Sequence, residues 1–106
     1  MTTFNGNLAQ LASVDHLSQL DLLDPAGKLV ASIENKPGSQ GSLKVYSHLA
    51  VKWGCLNGSA AKEGILLYAE HAEDARLNPG KHPNIDRLLE IIASGTTYSV
   101  LSAPFP

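Results

Sequence analysis

The sequence predicts an α+β fold: a small antiparallel β-sheet, built from a hairpin and a C-terminal strand, packed on one face by three main helices. Three observations carry that expectation. Two alternating apolar runs within residues 16–34 flank the turn Asp24-Pro25-Ala26-Gly27. Residues 43–53 and 59–95 repeat apolar side chains at helical spacing. The final run, Thr96–Ser102 (TTYSVLS), is rich in Thr, Tyr and Val, the residues that suit a pleated surface.

Taken in order, residues 4–12 (FNGNLAQLA) suit one or two turns of helix, with Asn5 or Asn7 as cap and Leu8 and Leu11 facing inward. Residues 16–23 (HLSQLDLL) read as a strand with Leu20 and Leu22 on one face. Pro second and Gly fourth are what a type I turn favours, so residues 24–27 turn the chain. Residues 28–34 (KLVASIE) return, with Leu29, Ala31 and Ile33 on one side. Residues 35–41 (NKPGSQG) form a loop by composition, and Ser42 is the expected cap of a helix over Leu43–Trp53. Leu43, Tyr46, Leu49, Ala50 and Trp53 share its inner face, and Gly54 stops it.

Ser59 is the expected cap of a single long helix that runs to the break at Pro79-Gly80. Ala61, Ile65, Tyr68, Ala72 and Ala75 form its inward stripe, widened by Leu66 and Ala69, and Glu63, Glu70, Glu73 and Asp74 mark its wet side. Pro83 suits the first position of the next helix, where Ile85, Leu88, Leu89 and Ile92 line up before Gly95. The strand at Thr96–Ser102 then joins the hairpin, and Ala103-Pro104-Phe105-Pro106 is not expected to extend it.

A chain of 106 residues suits one domain over residues 1–106 that needs no covalent staple. Its eight Lys and Arg stand apart from one another, and ten Asp and Glu bring the net charge to −2. That balance argues against general nucleic-acid binding and against a polybasic membrane patch. No apolar run reaches membrane-spanning length. The lone Cys55 forms no intrachain disulfide, and the first residues lack the basic and apolar regions of a signal peptide, so the expected location is the cytoplasm.

Two places hold residues that suit chemistry. The first is the approach to a helix formed by Gly38, Ser39, Gly41, Ser42 and Lys44, where backbone N–H groups can face an anion with Lys36 or Lys44 nearby. A P-loop spacing is absent. The plainer reading is a flexible loop ending in a Ser cap. The second is the group Glu70, His71, Asp74, His82 and Asp86. If the turn at Asn78–Lys81 sets its helices antiparallel, His71 and His82 approach, and two imidazoles with a carboxylate suit a metal ion or acid–base chemistry. The plainer reading makes Asp86 a complement to a helix N-terminus, Glu70 part of a solvated face and His71 a boundary residue.

Other arrangements fall away. His48 stands about 10 Å along a helix from Cys55, too far to activate it, so Cys55 reads as a buried structural thiol. Trp53 and Tyr46 read as core. Asp15, His16 and Ser18 lie on an alternating strand, which separates neighbours.

The runs IENKPGSQGSLKVYSHLA (Ile33–Ala50) and LYAEHAEDARLNPGKHPNIDRLLEIIASG (Leu67–Gly95) resemble a family of small bacterial proteins known as a domain of unknown function. The phrases PGSQGSLKVY and NPGKHPNIDRL carry the resemblance, which extends from about Leu8 to Gly95. It implies a bacterial domain occurring alone, and it brings no activity, cofactor or site residue.

The expectation for function is therefore a cytosolic binding or regulatory module rather than an enzyme, either dimeric or paired with another protein through the sheet edge at Thr96–Ser102. No catalytic residue, metal ligand or cofactor is assigned. The alternatives are a metal-binding protein or small enzyme using His71, His82 and Asp86, and anion or phosphate binding at Gly38–Lys44.

Overall fold

The computed structural model describes residues 3–105. The elements run α1 (Phe4–Gln10), β1 (Leu17–Leu23), β2 (Leu29–Glu34), α2 (Gln40–Trp53), α3 (Gly58–Tyr68), α4 (Glu70–Leu77), α5 (Pro83–Ser94) and β3 (Ser99–Pro104). The three strands form an antiparallel sheet in the order β2-β1-β3 with helices packed against it, the α+β class the sequence predicts.

The hairpin forms where its turn chemistry places it. The Gly27 N–H donates to the Asp24 carbonyl at 2.9 Å, and Asp24 Oδ1 accepts the N–H groups of Ala26 and Lys28. The register shifts between Leu22 and Leu23, the added residue a hairpin of this length takes up as a bulge. A second shift, between Leu17 and Gln19 against β3, lets Leu17, Leu20 and Leu22 all turn into the core. On β2, Ile33 is buried, but Leu29, beyond the bulge at the sheet's end, is exposed.

The strand β3 is shifted toward the C-terminus relative to the expectation. It pairs through Ala103 and Pro104, opposite Gln19 and Leu17, instead of ending at Ser102. As an edge strand it presents one side to no neighbour, so a proline without an N–H is tolerated there. Pro106 lies outside the described residues. Tyr98 is tied separately to Leu56 by a reciprocal pair of backbone hydrogen bonds.

The helix expected from Ser59 to the Pro79 break is two helices. Ala69 stands between them at φ 52°, ψ −119°, a conformation foreign to a helix interior. The inward stripe survives the break: Ala61, Ile65, Tyr68, Ala72 and Ala75 are all buried, whereas Leu66 is exposed. The caps also differ. Asn57, not Ser59, accepts the Ala60 N–H, and Thr3, not an Asn, accepts the Gly6 N–H at the start of α1. α2 begins at Gln40, two residues before the expected cap Ser42.

The core gathers Leu20, Leu22 and Ile33 from the sheet with Leu43, Val45, Tyr46, Leu49, Leu56, Leu88 and Ile91. Tyr46 is core as expected, its hydroxyl donating to the Asn84 carbonyl at 2.5 Å. Burial raises its phenol pKa to about 12, against the opposing pull of the Arg87 guanidinium. Trp53 is not core: it is more than a third exposed at the last turn of α2, and Val45 is buried instead of it. Cys55 is half-buried rather than buried. Gly64 is required by closeness, since a Cβ there would stand 2.7 Å from Leu88 Cδ1 and 2.9 Å from Leu49 Cδ1. None of the helices described is long and apolar enough to cross a membrane.

Candidate functional site

The two stretches singled out in the sequence are walls of one groove. It has a volume of about 490 Å³ and is bounded by α1, by the turn entering α2, and by α4 with the start of α5. Gly38, Gly41 and Ser42 come from one stretch and His71 and His82 from the other, with Lys81 beside them. Phe4, Leu8, Tyr68 and Ile85 supply the apolar part.

The helix break at Ala69 places α4 for this. Beyond it, the Glu70 carboxylate accepts the Phe4 N–H at 2.8 Å, which fixes the start of α1. That hydrogen bond holds the Glu70 carboxyl below its ordinary pKa. The Phe4 ring stacks on Tyr68 with centroids 5.2 Å apart and meets the His71 ring edge-on at 4.8 Å. Gly41 makes room for this helix: a Cβ there would lie 3.1 Å from the tip of the Phe4 ring. Tyr68 donates its hydroxyl to Ser42 Oγ at 2.7 Å, joining α3 to the first turn of α2. Burial pushes the Tyr68 phenol well above its ordinary range, so it stays a neutral donor.

The five polar residues of the predicted His and carboxylate group separate into distinct roles. His71 and His82 do approach, with ring centroids 5.8 Å apart. His82 Nε2 lies 2.6 Å from Asp74 Oδ2, and Lys81 Nζ lies 2.9 Å from the same oxygen. Hydrogen bonds from His82 and Lys81 depress the Asp74 carboxyl pKa to about 2. Asp86 points away to accept the Gly80 N–H at 2.9 Å, and Glu70 is held by Phe4. Among the described residues, no three His, Cys, Asp or Glu side chains converge to hold a metal ion.

The predicted anion loop is similarly divided. The N–H groups of Ser39 and Gln40 both donate to the Lys36 carbonyl, and the Ser39 hydroxyl donates to the Glu34 carbonyl. Ser39 is therefore held by protein. Gly41 and Ser42 fall in the first turn of α2, where N–H groups have no acceptor within the helix. Lys44 lines an adjoining hollow of about 280 Å³ with Asp15, Gln40 and Gly41.

A second polar cluster escaped the sequence reading. Glu63, assigned to a wet face, takes His48 at 2.5 Å, Lys52 at 2.7 Å and the Trp53 indole N–H at 3.1 Å. Burial raises its pKa, but the hydrogen bonds from Lys52, His48 and Trp53 outweigh that and leave it lowered. His48 and Lys52 are spaced i, i+4 on α2, a signal that marks a shared face but not the partner helix.

A family model described as "Uncharacterized protein conserved in bacteria (DUF2322)" matches residues 4–102. The chain belongs to this family. The match takes in all the residues of the groove, and the family's description assigns no activity to them. No match to the chain was found among curated proteins or among solved structures.

Proposed function

We propose that this DUF2322 chain is a binding module without catalytic chemistry, and that its ligand sits in the groove between α1, the entry to α2 and the α4–α5 turn. One observation carries the reading: a hollow of about 490 Å³ draws side chains from segments far apart in the chain, and its volume lies in the range of about 300–1,000 Å³ common to small-molecule sites. Aromatic and aliphatic walls with a few convergent polar groups are the usual composition of such a site. A cytoplasmic setting suits the single unpaired cysteine.

A second reading is favoured by the Asp74–His82 pair. A carboxylate that accepts from Nε2 leaves Nδ1 of a neutral imidazole with a free lone pair, the tautomer a general base or a metal ligand uses. The His71 ring lies beside it, with centroids 5.8 Å apart. The binding reading is preferred because Lys81 shares the Asp74 oxygen with His82, and among the described residues no three His, Cys, Asp or Glu side chains converge.

Thermal unfolding against a small-molecule collection, followed by NMR mapping of each hit, tests both. A ligand at about 100 times its dissociation constant adds about 2.7 kcal/mol and raises Tm by several degrees. Hits that move groove amides support the binding reading, and hits that all map elsewhere overturn it. A shift with Zn²⁺ or Ni²⁺ that disappears in both His71→Ala and His82→Ala would install the second reading.

A further inference from the structure

We infer that the groove takes a small organic anion, a carboxylate or phosphate head on an aromatic or apolar body. The inference rests on the reading of the groove as the binding site and names what that site selects.

The charge lining the groove is one-sided. Its basic side chains are Lys81, His71 and His82, and no carboxylate is among its lining residues, although the chain carries more acidic than basic residues. The three nearest carboxylates are each engaged. Glu70 accepts the Phe4 N–H, Asp86 accepts the Gly80 N–H, and Asp74 takes Lys81 and His82 on one oxygen. Lys81 and the two imidazoles, and not these carboxylates, line the hollow, so an incoming anion meets N–H donors first. Partial enclosure by low-dielectric walls strengthens the attraction for an incoming anion.

The apolar surface beside His71 selects the body. Phe4, stacked on the buried Tyr68 with the two rings 8° from parallel, and Leu8 supply the accessible apolar surface. A ligand with charge at one end and a flat or aliphatic group at the other satisfies both at once. A neutral polar molecule gains no charge-assisted hydrogen bond from Lys81, and a bare inorganic anion leaves the Phe4 surface wet.

The experiment is an NMR titration of the ¹⁵N-labelled full chain with phenyl phosphate, benzoate, neutral benzamide and inorganic phosphate. The expected result is that phenyl phosphate or benzoate moves groove amides and binds at least tenfold tighter than benzamide or inorganic phosphate. The double variant Lys81→Gln, His71→Gln should lose that advantage at least tenfold and leave benzamide unchanged, which also reports an intact groove. Benzamide binding in the groove as tightly as benzoate overturns the charge preference and leaves the groove reading standing. Inorganic phosphate binding as tightly as phenyl phosphate overturns the apolar body. Anions that move only amides elsewhere, or that bind the double variant undiminished, overturn the inference as a whole. The groove reading is judged separately by the mapped hits of the collection screen.

Discussion

His82 Nε2 and Asp74 Oδ2 stand 2.6 Å apart across the turn between α4 and α5, and Lys81 joins the same oxygen. The pair locks the two helices at the angle that brings His71 beside His82. It also makes a pH-dependent contribution to stability. The Asp74 carboxyl has a pKa of about 2 when folded, against 3.8 as its ordinary value. A depressed folded pKa contributes stability that is complete above the ordinary value and is lost as pH falls through the folded one. Urea unfolding between pH 4 and pH 2 should therefore show a steeper loss for the wild type than for Asp74→Asn. Parallel slopes would remove the pair from the stability of the turn.

Glu63 holds three partners from α2, so Glu63→Gln should weaken the α2–α3 contact. Hydrogen bonds to charged groups contribute about 1.5–3 kcal/mol net. The side chain of Glu63 is one-fifth exposed and that of Lys52 about half exposed, so screening reduces the expected loss to about 1 kcal/mol. Denaturant midpoints in low and high salt measure it, with the larger difference expected at low salt.

Ala69→Gly should stabilise the protein. A left-handed φ costs a non-glycine residue about 1–2 kcal/mol, and the added freedom of an unfolded glycine costs about 0.5–1 kcal/mol, which leaves a gain of about 0–1.5 kcal/mol, centred on about 0.8 kcal/mol. The observed φ of 52° is the basis, and an unchanged or lower denaturation midpoint would refute it.

Gly64→Ala should destabilise despite the better helix propensity of alanine. The propensity gain is about 1 kcal/mol, but overpacking a filled core costs about 1–3 kcal/mol, for a net loss of about 1 kcal/mol. The new methyl would press on the methyl groups of Leu88 and Leu49, both fully buried, so neither has solvent to move into. Gly64→Ala combined with Leu88→Val should recover part of the loss, read as a smaller drop in Tm than the two single changes add up to.

The legible parts of the molecule were those whose signal is local. The Asp24–Gly27 turn closes through its own side chain, and Gly54 and Gly95 end their helices at φ 77° and 76° as expected. The inward stripe from Ala61 to Ala75 was read correctly even though one helix became two, because burial follows apolar spacing and not helix continuity. Ala69 gave no warning, since alanine is the best helix former and nothing adjacent breaks the pattern. Trp53 was misread for a related reason: periodicity marks a stripe, but the width of the partner surface decides which edge of it is covered.

The candidate site divides along the same line. Residue types and spacing within Gly38–Lys44 and within Glu70–Asp86 named both stretches and allowed His71 and His82 to meet. That the two stretches face each other was decided by α1, whose Phe4 ring lies against Gly41, Tyr68 and His71. Glu70 is drawn off by the Phe4 N–H of α1, and Asp86 by the Gly80 N–H of its own turn. The sequence by itself determined the fold class, the hairpin, the helix ends at glycine and the middle of each apolar stripe, because these depend on neighbours a few residues apart. It did not determine the edges of the stripes, where Leu29, Trp53, Leu66 and Ile92 are exposed. Only the tertiary structure decided the break at Ala69, the Glu63 cluster and the groove, because each depends on side chains brought together from distant positions, where packing and hydrogen-bond demand outweigh local preference.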